Sequence, residues 1–445
     1  MDLTNTDKEF VWHPYTQMRD WMKWNNRVIV KGDGFYLVDT KGRKYLDGTA
    51  SMWCNVWGHN HNRVVQAMMD QLKDIPHSTL FGFASAQSTK LAERLVKLAR
   101  GMHKVFFTDN GSTAIEVAMK MALQYWHNKG KPEKKEFISL EHGYHGDTIG
   151  SMSLGYIDGF FRAYRPLLLD VNKVPSPLLY GSKFTNESDL MEWCLERTEN
   201  VLKRNGNSCA ALVMESGAQI AGGAIIFPVG YQKRIAKLCR DYNTLFILDE
   251  IATGFGRLGN MIEYIAQDSQ PDIVSFGKAL TGGYFPLAAT LVTRPIFDAF
   301  LGEYRYNKQL YHGHTFTGHA VGCAAAIANI QDYQSRNLTQ QIKVSAEYIS
   351  SRLPEFSKSA VVGDIRHKGL LVGIELAKNN MPLVILKNKE IINYYIMRQS
   401  LKMGVHLRPL GNIMLLIPPL GIGKSDLEKL IDVQLRLVGK IEKLT

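Results

Sequence analysis

Two carboxylates, Asp249 and Glu250, close the apolar run Leu245-Phe-Ile-Leu. A lysine, Lys278, follows a second apolar run, Ile273-Val-Ser-Phe276, behind a single glycine. Runs of this kind suit strands buried on both faces, and in open α/β sheets ligands bind in the crevice beyond the strands' carboxyl ends. Taken singly, each residue has an ordinary reading: a strand-terminal acid caps a turn, and a lysine after a strand faces solvent. Taken together, they place an acid and an amine at one sheet edge. Gly277 before the lysine and Gly282-Gly283 after it leave the local backbone free to approach a ligand.

A third stretch, Val105-Phe-Phe-Thr-Asp-Asn110-Gly111-Ser112-Thr113, reads as a strand, a short hydroxyl-rich loop and a helix start. Backbone N–H groups, hydroxyls and the helix dipole at such a junction cradle phosphate; alternatively, Ser112 or Thr113 is simply the helix N-cap. An amine for an aldehyde, a carboxylate that keeps a pyridine nitrogen protonated and an anion site for a phosphate are the complement of one cofactor, pyridoxal 5'-phosphate. A lysine released from that cofactor can also carry a proton. Gly143-Tyr144-His145-Gly146-Asp147, after the run Glu136–Leu140, brings an aromatic residue to the same edge. Tyr144 is there either to cover a cofactor ring or as a core tyrosine with a satisfied hydroxyl.

The elements that must position these residues alternate in the middle of the chain, which predicts an α/β domain with a mostly parallel sheet. Strands are expected at 105–108, 136–140, 210–214, 245–249, 273–276 and 288–293. A helix is expected over 114–128, with Ile115, Ala118, Met119, Ala122 and Tyr125 on one stripe. From about Tyr333 helical stretches alternate with strands at 370–376, 405–408 and 413–417, which predicts a smaller α+β domain. The expected division is a joining segment over 1–60, a large domain over 61–332 and a small one over 333–445. Ser425-Asp-Leu-Glu428 predicts a capping box at the start of the last helix. The neighbouring Gly423-Lys424-Ser425 is not a nucleotide loop, because Pro418 stands where the first glycine of that motif belongs.

Composition narrows the classes further. The net charge is +11, but the 53 Lys and Arg are dispersed among 42 acids, so no nucleic-acid footprint is expected. No run of eighteen apolar residues occurs and the N-terminus is polar, so neither a membrane span nor a secretory signal is expected. Five scattered cysteines fit a reducing cytoplasm. The pairs His142/His145, His59/His61 and His312/His314 lack supporting ligands at metal spacing, so no metal is expected.

The runs FFTDNGSTAIEVAMKMALQYW, EHGYHGDTIGSMSLG, LFILDEIATGFGRLG, DIVSFGKALTGGYFPLAAT and YHGHTFTGHAVGCAAA resemble the class III aminotransferases of fold type I, in order and over nearly the whole chain. The resemblance implies that Lys278 bonds to the cofactor, that Asp249 holds its ring nitrogen, and that Gly111 and Ser112 cradle its phosphate. It further implies that Tyr144 lies over the ring, and that Gly313, His314 and Thr315 reach a partner subunit's site in a homodimer. WHPYTQM, DGTASMWCNVWGHNH and HLRPLGNIMLLIPPL resemble the branch that aminates 8-amino-7-oxononanoate in biotin biosynthesis. By that resemblance Tyr15, Met52, Trp53 and Arg408 contact substrate, with Arg408 on its carboxylate. Arg257, in GFGRLG, is a second substrate contact or a structural brace. Met52, His314 and Glu215-Ser216 depart from the pattern of many members that use S-adenosylmethionine, and leave lysine open as the amino donor. The alternatives within the class are an ω-amino-acid or diamine aminotransferase and a dialkylglycine-decarboxylase-like lyase.

Overall fold

The computed structural model describes residues 2–155 and 157–445. A seven-stranded sheet organises it. In chain order its strands are β1 (Lys104–Thr108), β2 (Glu136–Leu140), β3 (Asn172–Val174), β4 (Cys209–Glu215), β5 (Leu245–Asp249), β6 (Ile273–Phe276) and β7 (Ala288–Val292). They lie side by side as β1-β7-β6-β5-β4-β2-β3. β7 runs antiparallel to both its neighbours, and the other pairings are parallel. Every residue of β4, β5, β6 and β7 is buried. That burial explains why these strands read as unbroken apolar runs instead of alternating patterns.

The helix after β1 spans Gly111–Asn128 and begins three residues before the expected Ala114. Its N-cap is Asn110, whose side chain accepts from Thr113 N–H at 3.0 Å. Neither Ser112 nor Thr113 is therefore the cap. Ile115, Ala118, Met119 and Ala122 are buried as expected, while Tyr125 is only half-buried.

Two smaller sheets flank this core. One, antiparallel, joins Val362–Lys368, Leu371–Lys378, Met381–Pro382 and Ile413–Leu416. The other joins Ile29–Asp33, Tyr36–Asp39 and Lys44–Asp47 to the distant strand Val405–His406. That last pairing is parallel, with Leu46 opposite Val405 and Asp47 opposite His406. The strand expected at 405–408 thus stops two residues early, and Arg408 lies just past its end. The domain boundary expected at 332/333 falls inside the helix Ala320–Ser335. Among the described residues, no helix is long and apolar enough to cross a membrane.

The capping box is a correction. The last helix spans Lys424–Glu442 with Gly423 as N-cap and no side-chain cap, so Ser425 lies inside the first turn. Asp426 turns instead to the Tyr36 hydroxyl, 2.5 Å away. A Ser425→Ala substitution should therefore change stability by less than about 0.5 kcal/mol, where loss of a true N-cap costs about 1 kcal/mol. Denaturant unfolding of the two proteins distinguishes these outcomes.

Candidate active site

The carboxyl ends of β4, β5 and β6 and the loops after β1 and β2 open into one cavity of about 420 Å³. Trp53, Gly111, Ser112, Tyr144, Asp249 and Lys278 line it, together with His145, Asp147, Thr148 and Glu215. Six residues expected from the sequence to serve one site thus face one space.

At one end is the open start of the Gly111–Asn128 helix. Asn110 takes up the Thr113 and Ala114 N–H groups, so the Gly111 and Ser112 N–H groups are left without an acceptor in the helix. Ser112 Oγ is fixed by Thr148, 2.7 Å from its hydroxyl and 3.0 Å from its N–H. Thr148 in turn donates to Glu116 Oε1 at 2.7 Å. The junction is crowded: a Cβ at Gly111 would stand 2.7 Å from Ile251 Cγ2. This corner suits a dianion.

On the cavity floor Asp249 is buried. Its Oδ1 accepts from Ile251 N–H at 2.9 Å, and its Oδ2 lies 2.8 Å from Nδ1 of the buried His145. Beside it in register is Glu215, whose oxygens accept from Tyr144 N–H at 3.2 Å and Ile220 N–H at 3.1 Å. Burial, reinforced by the Asp249 charge, pushes the Glu215 carboxyl up to about 8. With its own carboxyl pushed up, Glu215 competes less with Asp249 for a cationic ring nitrogen.

Lys278 enters on a strained backbone, with φ of 45°. Burial lowers the pKa of its ammonium, against the pull of Asp249 and Glu215. Its Nζ lies 5.1 Å from the centre of the Trp53 ring. Trp53 ends a turn, Ala50–Trp53, in which four successive residues have φ between 45° and 72°. Left-handed backbone costs L-residues about 1–2 kcal/mol each, so a turn of four marks a site that its surroundings must hold in place.

Beside the cavity Tyr15 donates to the lining residue Asp147, at Oδ1 and 2.6 Å, although Tyr15, Met52 and Arg408 do not themselves line it. The Arg408 guanidinium lies 5.8 Å from the Tyr15 ring centre and 3.5 Å from Met52 Sδ. Gly313, His314 and Thr315 do not line this cavity; Gly313 and Thr315 are exposed, and His314 pairs with Asp109 at 2.8 Å. Arg257 does not line the cavity either, although its charge acts on Lys278. It is fully buried and donates to the carbonyls of Leu370 (3.1 Å) and Pro418 (2.7 Å), clamping the small sheet's segments to its glycine loop.

Among the lining residues that sequence reasoning did not assign to the site are Glu215, His145, Asp147 and Thr148. Glu215 carried the same signal as Asp249, an acid at the end of an apolar run. His145 was weighed only as a metal ligand, although it follows Tyr144 directly. Asp147 and Thr148 sit in a loop whose course the sequence did not disclose.

A mostly parallel sheet whose carboxyl edge sets a lysine against a buried acid, beside an open helix N-terminus, defines a fold type I pyridoxal-phosphate transferase. The profile of the family Aminotransferase class-III matches residues 19–437, and the chain belongs to that family. It is 40% identical to an adenosylmethionine-8-amino-7-oxononanoate aminotransferase of Aquifex aeolicus, covering 99% of this chain and 98% of that one. To the protein of that name from Staphylococcus aureus it is 39% identical, with the same coverage. A crystal structure of the Methanocaldococcus jannaschii protein of that name has a TM-score of 0.91 at 37% identity and covers 99% of each chain. An omega transaminase of Pseudomonas jessenii in complex with PMP has a TM-score of 0.94 at 30% identity, covering 100% of this chain and 99% of that one. The chain is thus an aminotransferase, and its cofactor is pyridoxal 5'-phosphate. The free N–H pair, the buried carboxylate and the lysine of this cavity fit that group.

Glu215 carries a pH signature. In the unfolded chain it ionises near 4.5, and in the fold near 8. Between these values the native state binds more protons, so this group's contribution to stability falls as pH rises. The melting temperature of the cofactor-free protein should decline from pH 5 to 8.5, and Glu215→Gln should flatten that decline. An unchanged slope in the variant would refute the raised value.

Proposed function

We propose that this aminotransferase converts 8-amino-7-oxononanoate to 7,8-diaminononanoate in biotin biosynthesis, with S-adenosylmethionine as amino donor. We place it in the cytoplasm and read it as a homodimer. The observation that carries the substrate reading is a cluster beside the cavity: Arg408 lies against Met52 and the Tyr15 ring, Tyr15 bonds the lining residue Asp147, and Met52 adjoins Trp53, which forms part of the wall. A guanidinium there can clamp the carboxylate at one end of a chain-like substrate with two parallel hydrogen bonds. Trp53 then offers an apolar surface to the methylene chain between carboxylate and ketone. The named relatives at about 40% identity support the same substrate.

Pyridoxal phosphate, when bound, carries the amino group from donor to acceptor and draws electron density from the carbon that bears it. The chain's residues then have separable tasks. Gly111, Ser112 and Thr148 hold the phosphate. Asp249, oriented by His145, keeps the ring nitrogen protonated, and Tyr144 covers the ring. Lys278 would hold the cofactor through its Nζ, and as a free amine that Nζ would take a proton from the substrate carbon in one half-reaction and return one in the other. Lowering the ammonium's pKa by burial favours the free amine that this requires. Trp53 over Nζ limits water.

Gly313, His314 and Thr315 serve the partner subunit's cofactor and substrate in this reading. The exposure of Gly313 and Thr315 outside this chain's cavity, beside the exposed Phe81 and Phe316, is what supports it. A second donor, lysine, is favoured by Met52 and His314, which stand where many adenosylmethionine-using members carry other residues.

The decisive experiment offers S-adenosylmethionine and lysine separately to the cofactor-loaded enzyme and follows the visible band. Conversion by S-adenosylmethionine, then recovery on adding 8-amino-7-oxononanoate, is expected. Conversion by β-alanine but by neither of the other two would overturn the biotin-pathway reading. Lys278→Ala should lose the loaded enzyme's visible absorbance and all turnover. Arg408→Met should raise KM for the keto acid about 100-fold, the scale of a lost charged pair of about 3 kcal/mol, with the band unchanged. An unaltered KM would remove Arg408 from the carboxylate's site.

A further inference from the structure

The left-handed turn Ala50–Trp53 presents Met52 to Arg408 and Trp53 to Lys278, yet its own hydrogen bonds are few. Trp53 N–H donates to Thr49 O at 2.8 Å, and Cys54 N–H to Ala50 O at 2.9 Å. The turn packs on Asp47, whose carboxylate is completely buried with no lysine or arginine paired to it. Asp47 Oδ2 accepts from Ser51 Oγ, inside the turn, at 2.6 Å, and Oδ1 accepts from Thr49 Oγ1 at 3.2 Å. His59 Nε2 lies 3.4 Å from Oδ2 and His406 Nδ1 4.0 Å from Oδ1. His406 also meets Thr49 Oγ1 at 3.2 Å.

His406 is the residue opposite Asp47 in the parallel pairing and lies two residues before Arg408. Gly48 keeps the two segments close, since a Cβ there would stand 2.8 Å from the His406 carbonyl oxygen. The carboxylate therefore holds the strained turn that carries Met52 and Trp53, and through Thr49, which also meets His406, it is linked to the arm that carries Arg408. These segments are some 350 residues apart in the chain, as the Met52–Arg408 contact itself shows.

We propose that Asp47 is a positioning residue for the substrate cluster beside the cavity. It fixes the left-handed turn through Ser51 and Thr49, and registers that turn against the Arg408 arm through His406. The proposal rests on the substrate reading of Arg408 and Trp53 given above. Asp47 is completely buried behind the turn, its carboxylate taken up by Ser51 and Thr49, so its effect passes through Trp53, Met52 and Arg408. A glycine in the turn takes a positive φ without strain, so it should lessen the need for the carboxylate.

The test uses the cofactor-loaded, full-length enzyme and the keto acid it turns over. In Asp47→Asn, KM for the keto acid should rise about ten-fold or more, with kcat changed by less than about three-fold, as expected of a misplaced binding group. Amide hydrogen exchange over residues 48–56 should quicken, while that of residues 245–249 stays as it was. Adding Ser51→Gly to Asp47→Asn should recover part of the KM. Unchanged exchange over 48–56 would overturn the proposal; so would a parallel loss of kcat and of protection across the central sheet, which marks general destabilisation. Should Asp47→Asn fail to fold, Ser51→Ala removes only the bond into the turn, and it must still raise KM several-fold. Arg408→Met serves as the reference. If that variant leaves KM untouched, the carboxylate reading of Arg408 falls, while exchange over 48–56 still decides the role of Asp47.

Discussion

Asp249 is an acid buried at the end of a strand, with Ile251 N–H on one carboxylate oxygen and His145 on the other. A buried charge without partners costs several kcal/mol, and here the partners come from two different loops of the sheet's carboxyl edge. The requirement propagates. His145 must be buried beside Asp249, which fixes the loop after β2 and with it Tyr144. Tyr144 N–H bonds Glu215, the terminal residue of β4. With its own carboxyl pushed up, Glu215 competes less with Asp249 for a cation. Lys278, arriving from β6, completes a floor that brings an amine and a buried carboxylate to one edge of the sheet. The geometry of the parallel sheet makes this possible, since neighbouring strands deliver their last residues in register at one edge.

Strain is concentrated where the floor meets the substrate cluster. Lys278 and the four residues Ala50–Trp53 all have positive φ. Such backbone persists only where the surroundings over-determine it. Here those surroundings are polar: the buried Asp47 and Thr49 with the half-buried His406 on one side, and on the other Gly283, beside which lie Cys54 Sγ and the Asn55 backbone. The core contributes rigidity more than specificity, for the apolar strands would tolerate many sequences of similar volume. The polar contacts at the strands' ends would not.

The floor was largely legible in the sequence because its residues lie at the ends of apolar runs. A strand buried on both faces announces its own termini, so Asp249 and Lys278 could be paired and the boundaries of β2, β5 and β6 placed. What stayed hidden depended on long-range packing. The Val405–His406 strand reads locally as part of the C-terminal sheet, but it pairs with Lys44–Asp47, and no local pattern records a partner so distant in sequence. The helix at Gly111 begins early because Asn110 outcompetes Ser112 as cap, a choice between two good capping residues that propensity alone does not decide. The Ser425 box fails for the opposite reason: the motif is present, but the chain enters the helix before reaching it. The left-handed turn could not have been read at all, since Ala, Ser, Met and Trp have no intrinsic preference for it.

Floor and cluster also differ in what they say about substrate. The omega transaminase of Pseudomonas jessenii superposes at a TM-score of 0.94, slightly above the 0.91 of the Methanocaldococcus jannaschii oxononanoate enzyme, although the latter is more similar in sequence, 37% against 30%. Overall shape therefore does not discriminate between these substrate classes. Discrimination must lie in the few side chains that meet the part of the substrate beyond the transferred amine. In the reading proposed above those are Tyr15, Met52, Trp53 and Arg408, which come from the two chain ends and converge near the pairing of Lys44–Asp47 with Val405–His406. A fold organised in this way can keep its chemistry while changing its substrate, because the groups that hold the cofactor and those that select the acid rest on different elements of the structure.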